Sequence, residues 1–363
     1  MGSDGVSPSA APAVARRLRV PRTPVGGARW YRLGWVIGVV ALVLSLGTSV
    51  TIGVADLSIA DVYRVVFAHL GGPESELSRV RQGIVWELRV PRALMAAVCG
   101  TGLALCGVIM QSLLRNPLAD PYVLGVSSGA STGAVAVVVL GAGAGALSLS
   151  GGAFVGAVIS FVLVMLLAWG AGGGTSRIVL AGVAGTQLFS SLTSFIVISS
   201  ADAERTRGIL FWLLGSMSGV TWRQVAICAT ATMIGLTMCL WRARALDAFT
   251  FGTSAAATLG ISVARERATM LTIVALVTAT LVSAVGAIGF VGLVLPHATR
   301  LLVGVGHRRL LPAVALTGAI FMIWVDTISR TVFAPQEVPV GVVTALIGVP
   351  VFALLLFRMR RPA

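Results

Sequence analysis

A bilayer core takes about 20 apolar residues per helix, and the uncharged runs of this chain fall into ten stretches of roughly that length. They lie near 33–55, 93–113, 120–140, 151–170, 177–200, 223–241, 268–285, 287–303, 310–330 and 339–357. Two uncharged stretches are too long for one span. The first, 121–176, breaks at the Gly-rich segment Gly141–Gly152, and the second, 268–296, breaks at Gly286–Gly289, because glycine disfavours continued helix. The pattern predicts an all-α membrane protein of about ten transmembrane helices. Residues 1–32, rich in Ala, Pro, Ser and Arg without apolar periodicity, read as a disordered cytoplasmic tail; 33–357 form the ten-helix domain and 358–363 a short cytoplasmic C-terminal tail. Leu33–Ala55 is uncharged for longer than the ~7–15-residue core of a signal peptide, so it reads as an uncleaved first helix.

Composition sharpens this picture. Of 363 residues 56% are hydrophobic and 11% charged, with mean hydropathy +0.95, which excludes a soluble globular protein. The net charge of +14 would suggest nucleic acid in a soluble chain. With the N-terminus inside and ten spans, however, 18 arginines fall on the inner side and 9 on the outer, which is the positive-inside asymmetry of a chain with both termini cytoplasmic. No nucleic-acid partner is expected, and the membrane lipid is. All 27 basic residues are Arg. Without Lys there is no G-x-x-x-x-G-K-[ST] phosphate loop and no Lys-based covalent chemistry. The four Cys lie inside apolar runs without C-x-x-C spacing, so they carry neither a disulfide framework nor a zinc signature.

The largest non-membrane segments, 56–92 outside and 242–267 inside, are too small for a catalytic domain. Energy for active transport must come from a separate subunit or an ion gradient. Ionisable residues inside spans are the functional candidates, since each is costly in hydrocarbon without a partner. Asp326 is the clearest, with Arg330 four residues on and so on the same helix face; the two read either as an ion pair ending a span or as a proton or cation relay. No set of Asp, Glu or His ligands converges in the spans, so no metal site is expected and a transported metal would cross wrapped in a chelator. No nucleophile–base set, paired acids or H-E-x-x-H occurs, so the chain reads as no enzyme and as binding no cofactor itself.

Four ordered strings stand out. Trp86-Glu87-Leu88-Arg89-Val90-Pro91-Arg92 leads into the second span. The second is Gln111-Ser112-Leu113-Leu114-Arg115-Asn116-Pro117-Leu118-Ala119-Asp120-Pro121, continued by Leu124-Gly125-Val126-Ser127-Ser128-Gly129. Here Pro fixes φ, Asp can cap, and the small residues let backbones approach. Gly289-Phe290-Val291-Gly292-Leu293-Val294-Leu295-Pro296-His297 and Glu337-Val338-Pro339-Val340-Gly341 through Pro350 complete the set. A further inner segment, Leu246 to Gly260, reads as two short helices around Gly252 with Gly260 ending the second.

In these strings, spread over residues 86–350, the chain resembles the FecCD-type permeases of ABC importers for iron–siderophore, haem and cobalamin. The resemblance implies a type II ABC importer permease of ten helices in the bacterial cytoplasmic (inner) membrane. It also implies a second permease subunit, identical or paralogous, two cytoplasmic ATPase subunits carrying ATP and Mg, an extracytoplasmic substrate-binding protein, and a metal-chelate substrate. By the same resemblance Arg89, Arg92 and Arg330 would meet carboxylates of the binding protein. Thr175 and Ser176 would form the cytoplasmic gate, and Gly252, Thr253, Ser254, Ala256, Leu259 and Gly260 would contact the ATPase. Gln111, Asn116, Pro117, Ser127, Ser128, Gly129, Trp212, Pro296 and His297 would belong to pathway or helix-packing motifs. The family often has an acidic residue just after the first coupling glycine, where this chain has Thr253 and Ser254. A different class, an ion-coupled secondary transporter using Asp326, is the alternative.

Overall fold

The computed structural model describes residues 28–53, 57–73, 77–141, 148–199 and 203–359. The expectations made for residues 1–27, 142–147 and 360–363 lie outside the described residues. In chain order the helices are α1 (Ala28–Thr51), α2 (Ile59–His69), α3 (Arg79–Gly83), a π-helical stretch (Ile84–Arg89), α4 (Val90–Leu114), a 3-10 turn (Pro121–Leu124), α5 (Val126–Leu140), α6 (Leu149–Gly170), α7 (Thr175–Ile198), α8 (Ala203–Leu213), α9 (Trp222–Trp241), α10 (Ala243–Thr250), α11 (Thr253–Thr258), α12 (Val263–Val285), α13 (Val291–Val303), α14 (His307–Thr331) and α15 (Val340–Met359). No strand occurs among the described residues.

Each of the ten apolar runs is met by a helix. Seven are long and apolar enough to cross a membrane, and the apolar stretches of α5, α13 and α15 are shorter. The predicted outer loop before the second span is different from expectation. Helix runs unbroken from Arg79 to Leu114, 36 residues or about 54 Å at 1.5 Å per residue, so it starts well outside a core of about 30 Å. The smaller helix α2 was not anticipated. Ser58 caps α2 in a reciprocal box with Asp61, whose carboxyl is held below its usual range by the Ser58 hydrogen bond.

Helix α4 is the axis of the bundle, with every residue from Gly102 to Leu114 buried. Helices α9, α12, α13 and α14 pack around it, while α5, α6 and α7 form a connected flank. One close approach joins α4 to α14. A Cβ on Gly100 would overlap the Gly318 carbonyl, and one on Gly318 the Gly100 carbonyl. Glycine is required there because the backbones touch, the route by which helices associate without a hydrophobic driving force. The four cysteines are free and buried.

Candidate functional site

Polar side chains gather at the two ends of this bundle. At one end the last turn of α1 leaves backbone carbonyls without helical donors. Arg89 Nη1 donates to Val50 O and Thr51 O at 3.1 and 3.0 Å, and Arg330 donates to Ile52 O at 2.5 Å and to Ser49 O and Oγ. Cations at a helix C-terminus are also favoured by its dipole. Beside them Arg92 Nε donates to both oxygens of Asp326, at 2.9 and 3.1 Å, and its Nη1 to Glu337 Oε1 at 2.8 Å. Arg330 Nε lies 3.5 Å from Asp326 Oδ2. The Asp326–Arg330 pair read from the sequence is therefore present, but Arg92, from another helix, is the closer partner.

A cavity of about 270 Å³ opens here, lined by Arg89, Arg92, Arg330, Glu337, Gly53 and Ser218 among others. The arginines expected as available rim cations sit at this end, yet their guanidiniums are engaged inside the chain. Arg89 is 8% exposed. The reason is physical: a buried cation must be paired or hydrogen-bonded, and the helix turn that carries Arg89 and Arg92 aims them at α1 and Asp326. The same end holds the Trp86–Trp222 pair, with Trp222 Nε1 donating to Trp86 O at 2.9 Å. It also holds the turn after Trp212, where Ser216 N donates to Val285 O and Val340 N to Gly215 O.

At the opposite end lie the segments joining α9 to α12. Helices α10 and α11 meet at Gly252, whose φ of +108° suits only glycine. Leu246 and Phe249 of α10 are fully buried, whereas Phe251 and Leu259 are 79% and 71% exposed; Thr253 and Ser254 are also exposed and Ala256 is buried. Helix α10 is pinned by one imidazole that sequence reading missed. His307, 1% exposed, sets Nδ1 2.7 Å from Asp247 Oδ1 and Nε2 2.7 Å from Ser112 Oγ, and its backbone N–H donates to Asp247 Oδ1 at 2.9 Å. Arg300 donates to Gln111 Oε1, whose amide donates to Leu293 O at 3.1 Å, and Arg242 pairs with Glu266.

The remaining predicted residues take structural places. Asn116 Oδ1 accepts from Leu118 N at 2.9 Å, and Pro117 is exposed. Ser127 O accepts from Ser131, Ser128 donates to Gly125 O, and Gly129 packs against the α6 backbone at Gly156. Pro296 is buried within α13 with His297 half-buried beside it. Thr175 and Ser176 begin α7 next to Gly173, whose carbonyl accepts from Arg267, so they stand at the α10–α11 end. Among the described residues no group of three His, Cys, Asp or Glu is placed to hold a metal ion.

A bundle of membrane-length helices with polar locks at both ends and an exposed pair of short helices at one end has the make-up of a multi-pass transport permease. Residues 40–358 match the FecCD transport family, and the chain belongs to that family. Over 276 residues it is 41% identical to the cobalamin import system permease BtuC of Halobacterium salinarum, covering 76% of this chain and 73% of that protein. Over 328 residues it is 34% identical to the iron(3+)-hydroxamate import system permease FhuB of Bacillus subtilis, covering 90% and 83%. A solved structure described as an inward-facing conformation of a metal-chelate type ABC transporter superposes with TM-score 0.78 at 30% identity, covering 89% of this chain and 98% of that one. The architecture is that of a type II ABC importer permease.

Proposed function

We propose that this chain is the permease subunit of a binding-protein-dependent ABC importer that carries a metal chelate, specifically an iron–siderophore, into the bacterial cytoplasm. It works with a second permease subunit, two ATPase subunits on the α10–α11 face and an extracytoplasmic binding protein at the Arg92 end. The observation that carries the reading is the α10–α11 pair. Its buried side is anchored to the bundle through Leu246, Phe249 and Asp247, while Phe251 and Leu259 stand bare as an apolar contact for a cytoplasmic partner. Alternating access then needs only two packings of the bundle biased by events at its two ends. The iron–siderophore choice leans on the iron(3+)-hydroxamate permease, whose likeness runs over 90% of the chain at 34% identity, against the cobalamin permease at 41% over 76%. An ion-coupled transporter using Asp326 is disfavoured by the two arginines that already hold that carboxylate.

The test is reconstitution in liposomes with the cognate ATPase and binding protein. ATP-dependent uptake of a labelled ferric hydroxamate is expected, with labelled haem and cobalamin as competitors. Uptake driven by an ion gradient without ATPase would overturn the importer reading. ATP-driven uptake of cobalamin or haem alone would overturn the choice of substrate.

A further inference from the structure

Helices α4 and α14 run antiparallel and are tied at four levels in register. At the outer end Arg92 binds Asp326. Next come the Gly100–Gly318 backbone contact and Thr101 Oγ1 donating to Ala315 O at 3.0 Å. At the inner end Ser112 Oγ meets His307 Nε2 at 2.7 Å. Arg92 to Ser112 and His307 to Asp326 each span about 30 Å of helix at 1.5 Å per residue, the thickness of a bilayer core. The pair is thus a two-helix strut crossing the whole membrane, fastened at both ends by polar groups.

The inner fastening includes a third element. Asp247 of α10 sets a carboxylate oxygen 2.7 Å from His307 Nδ1, while Nε2 lies 2.7 Å from the Ser112 hydroxyl, which itself donates to Val108 O at 2.8 Å. The same carboxylate oxygen also accepts the His307 backbone N–H, at the first residue of α14, where the helix dipole favours an anion. One buried ring therefore joins α10, α4 and α14 with both of its nitrogens used.

We propose that His307 is a positioning residue for energy coupling, locking α10 to the α4–α14 strut so that displacement of α10–α11 is delivered at the Arg92–Asp326 end as movement of one rigid body. This rests on the importer reading for the source of the displacement, while the lock itself rests on the His307 geometry.

The experiment uses the full transporter in nanodiscs and liposomes, comparing wild type, His307→Ala, His307→Asn and Asp247→Ala. Asp247 is partly exposed, so its removal tests the lock without opening the core. An Asn amide can replace the Nδ1 donor but not Nε2. In His307→Ala and Asp247→Ala, ATP hydrolysis should stay within twofold of wild type while uptake per ATP falls at least tenfold. His307→Asn should recover at least half of the coupling. Normal uptake per ATP in both alanine variants would overturn the proposal, and so would parallel loss of hydrolysis and uptake without rescue, the mark of a merely structural residue. Hydrogen exchange of the permease chain alone supplies an independent reading. Residues 243–250 should exchange at least tenfold faster in His307→Ala, and unchanged exchange overturns the lock. Absence of ATP-driven uptake by wild type would sink the importer reading instead, leaving the exchange result to decide the lock.

Discussion

Arg92 and Asp326 stand 234 positions apart, yet the Arg92 Nε–H is shared between both Asp326 oxygens, at 2.9 and 3.1 Å, inside a bundle where Asp326 is 0% exposed. Removing one partner of a buried ion pair leaves the other charge uncompensated, typically at a cost of about 3–5 kcal/mol. Asp326→Ala should therefore lower the thermal stability of the detergent-solubilised protein by several degrees or abolish monodisperse expression. A melting profile equal to wild type would show that the pair holds nothing together.

The α4–α14 crossing makes a sharper steric prediction. Gly100→Leu should prevent a folded, monodisperse protein in fluorescence-detected size exclusion, because its side chain would occupy the place of the Gly318 backbone. Gly34→Leu, where a Cβ meets nothing within 4 Å, is the matched control and should behave as wild type.

Phe251 and Leu259 supply the apolar tip of the α10–α11 segment. The double variant Phe251→Asp with Leu259→Asp should fold normally and weaken ATPase association at least tenfold in a detergent pull-down. Full association would place the ATPase contact elsewhere.

Glu337 shares Arg92 with Asp326 but is partly exposed to the outer cavity. Glu337→Gln removes a negative charge there and leaves Arg92 its buried partner. Association with a carboxylate-bearing binding protein should then be several-fold faster at low salt and converge on wild type at high salt, since rim charges act mainly on encounter rate. An unchanged rate at every ionic strength would remove the outer arginines from docking.

Topology is open to labelling. The native cysteines are buried, so single cysteines introduced at exposed Ser218 and exposed Leu259 should react with an impermeant maleimide from opposite sides of the membrane, Ser218 from outside. Reaction of both from one side would overturn the positive-inside assignment.

The helices that were legible in the sequence are those whose signal is local. Uncharged runs broken by Gly286–Gly289 reveal α12 and α13 because hydrocarbon excludes charge whatever the tertiary fold, and the pairing of α10 with α11 follows from Gly252 and Gly260. The continuation of α4 back to Arg79 was hidden, since that stretch carries four arginines and lies outside the apolar signal. The sites were legible only in part. Asp326 and Arg330 are four residues apart and so visible on one helix face, but the closer Arg92 is brought in by packing. His307, beside Arg308 and Arg309, carries no local signal of its own; its partners Asp247 and Ser112, 60 and 195 positions away, are found only when α10, α4 and α14 meet. The arginines expected to be available at the outer rim are inward because the carbonyls of α1 need donors, a demand invisible until α1 ends beside them.

That capping has a consequence for how the protein is made. Helix α1 enters the membrane first, but the donors for its last carbonyls come from Arg89 and then from Arg330, the second nearly 280 residues later in synthesis. The full set of donors to the end of α1 is therefore complete only once α14 has been made.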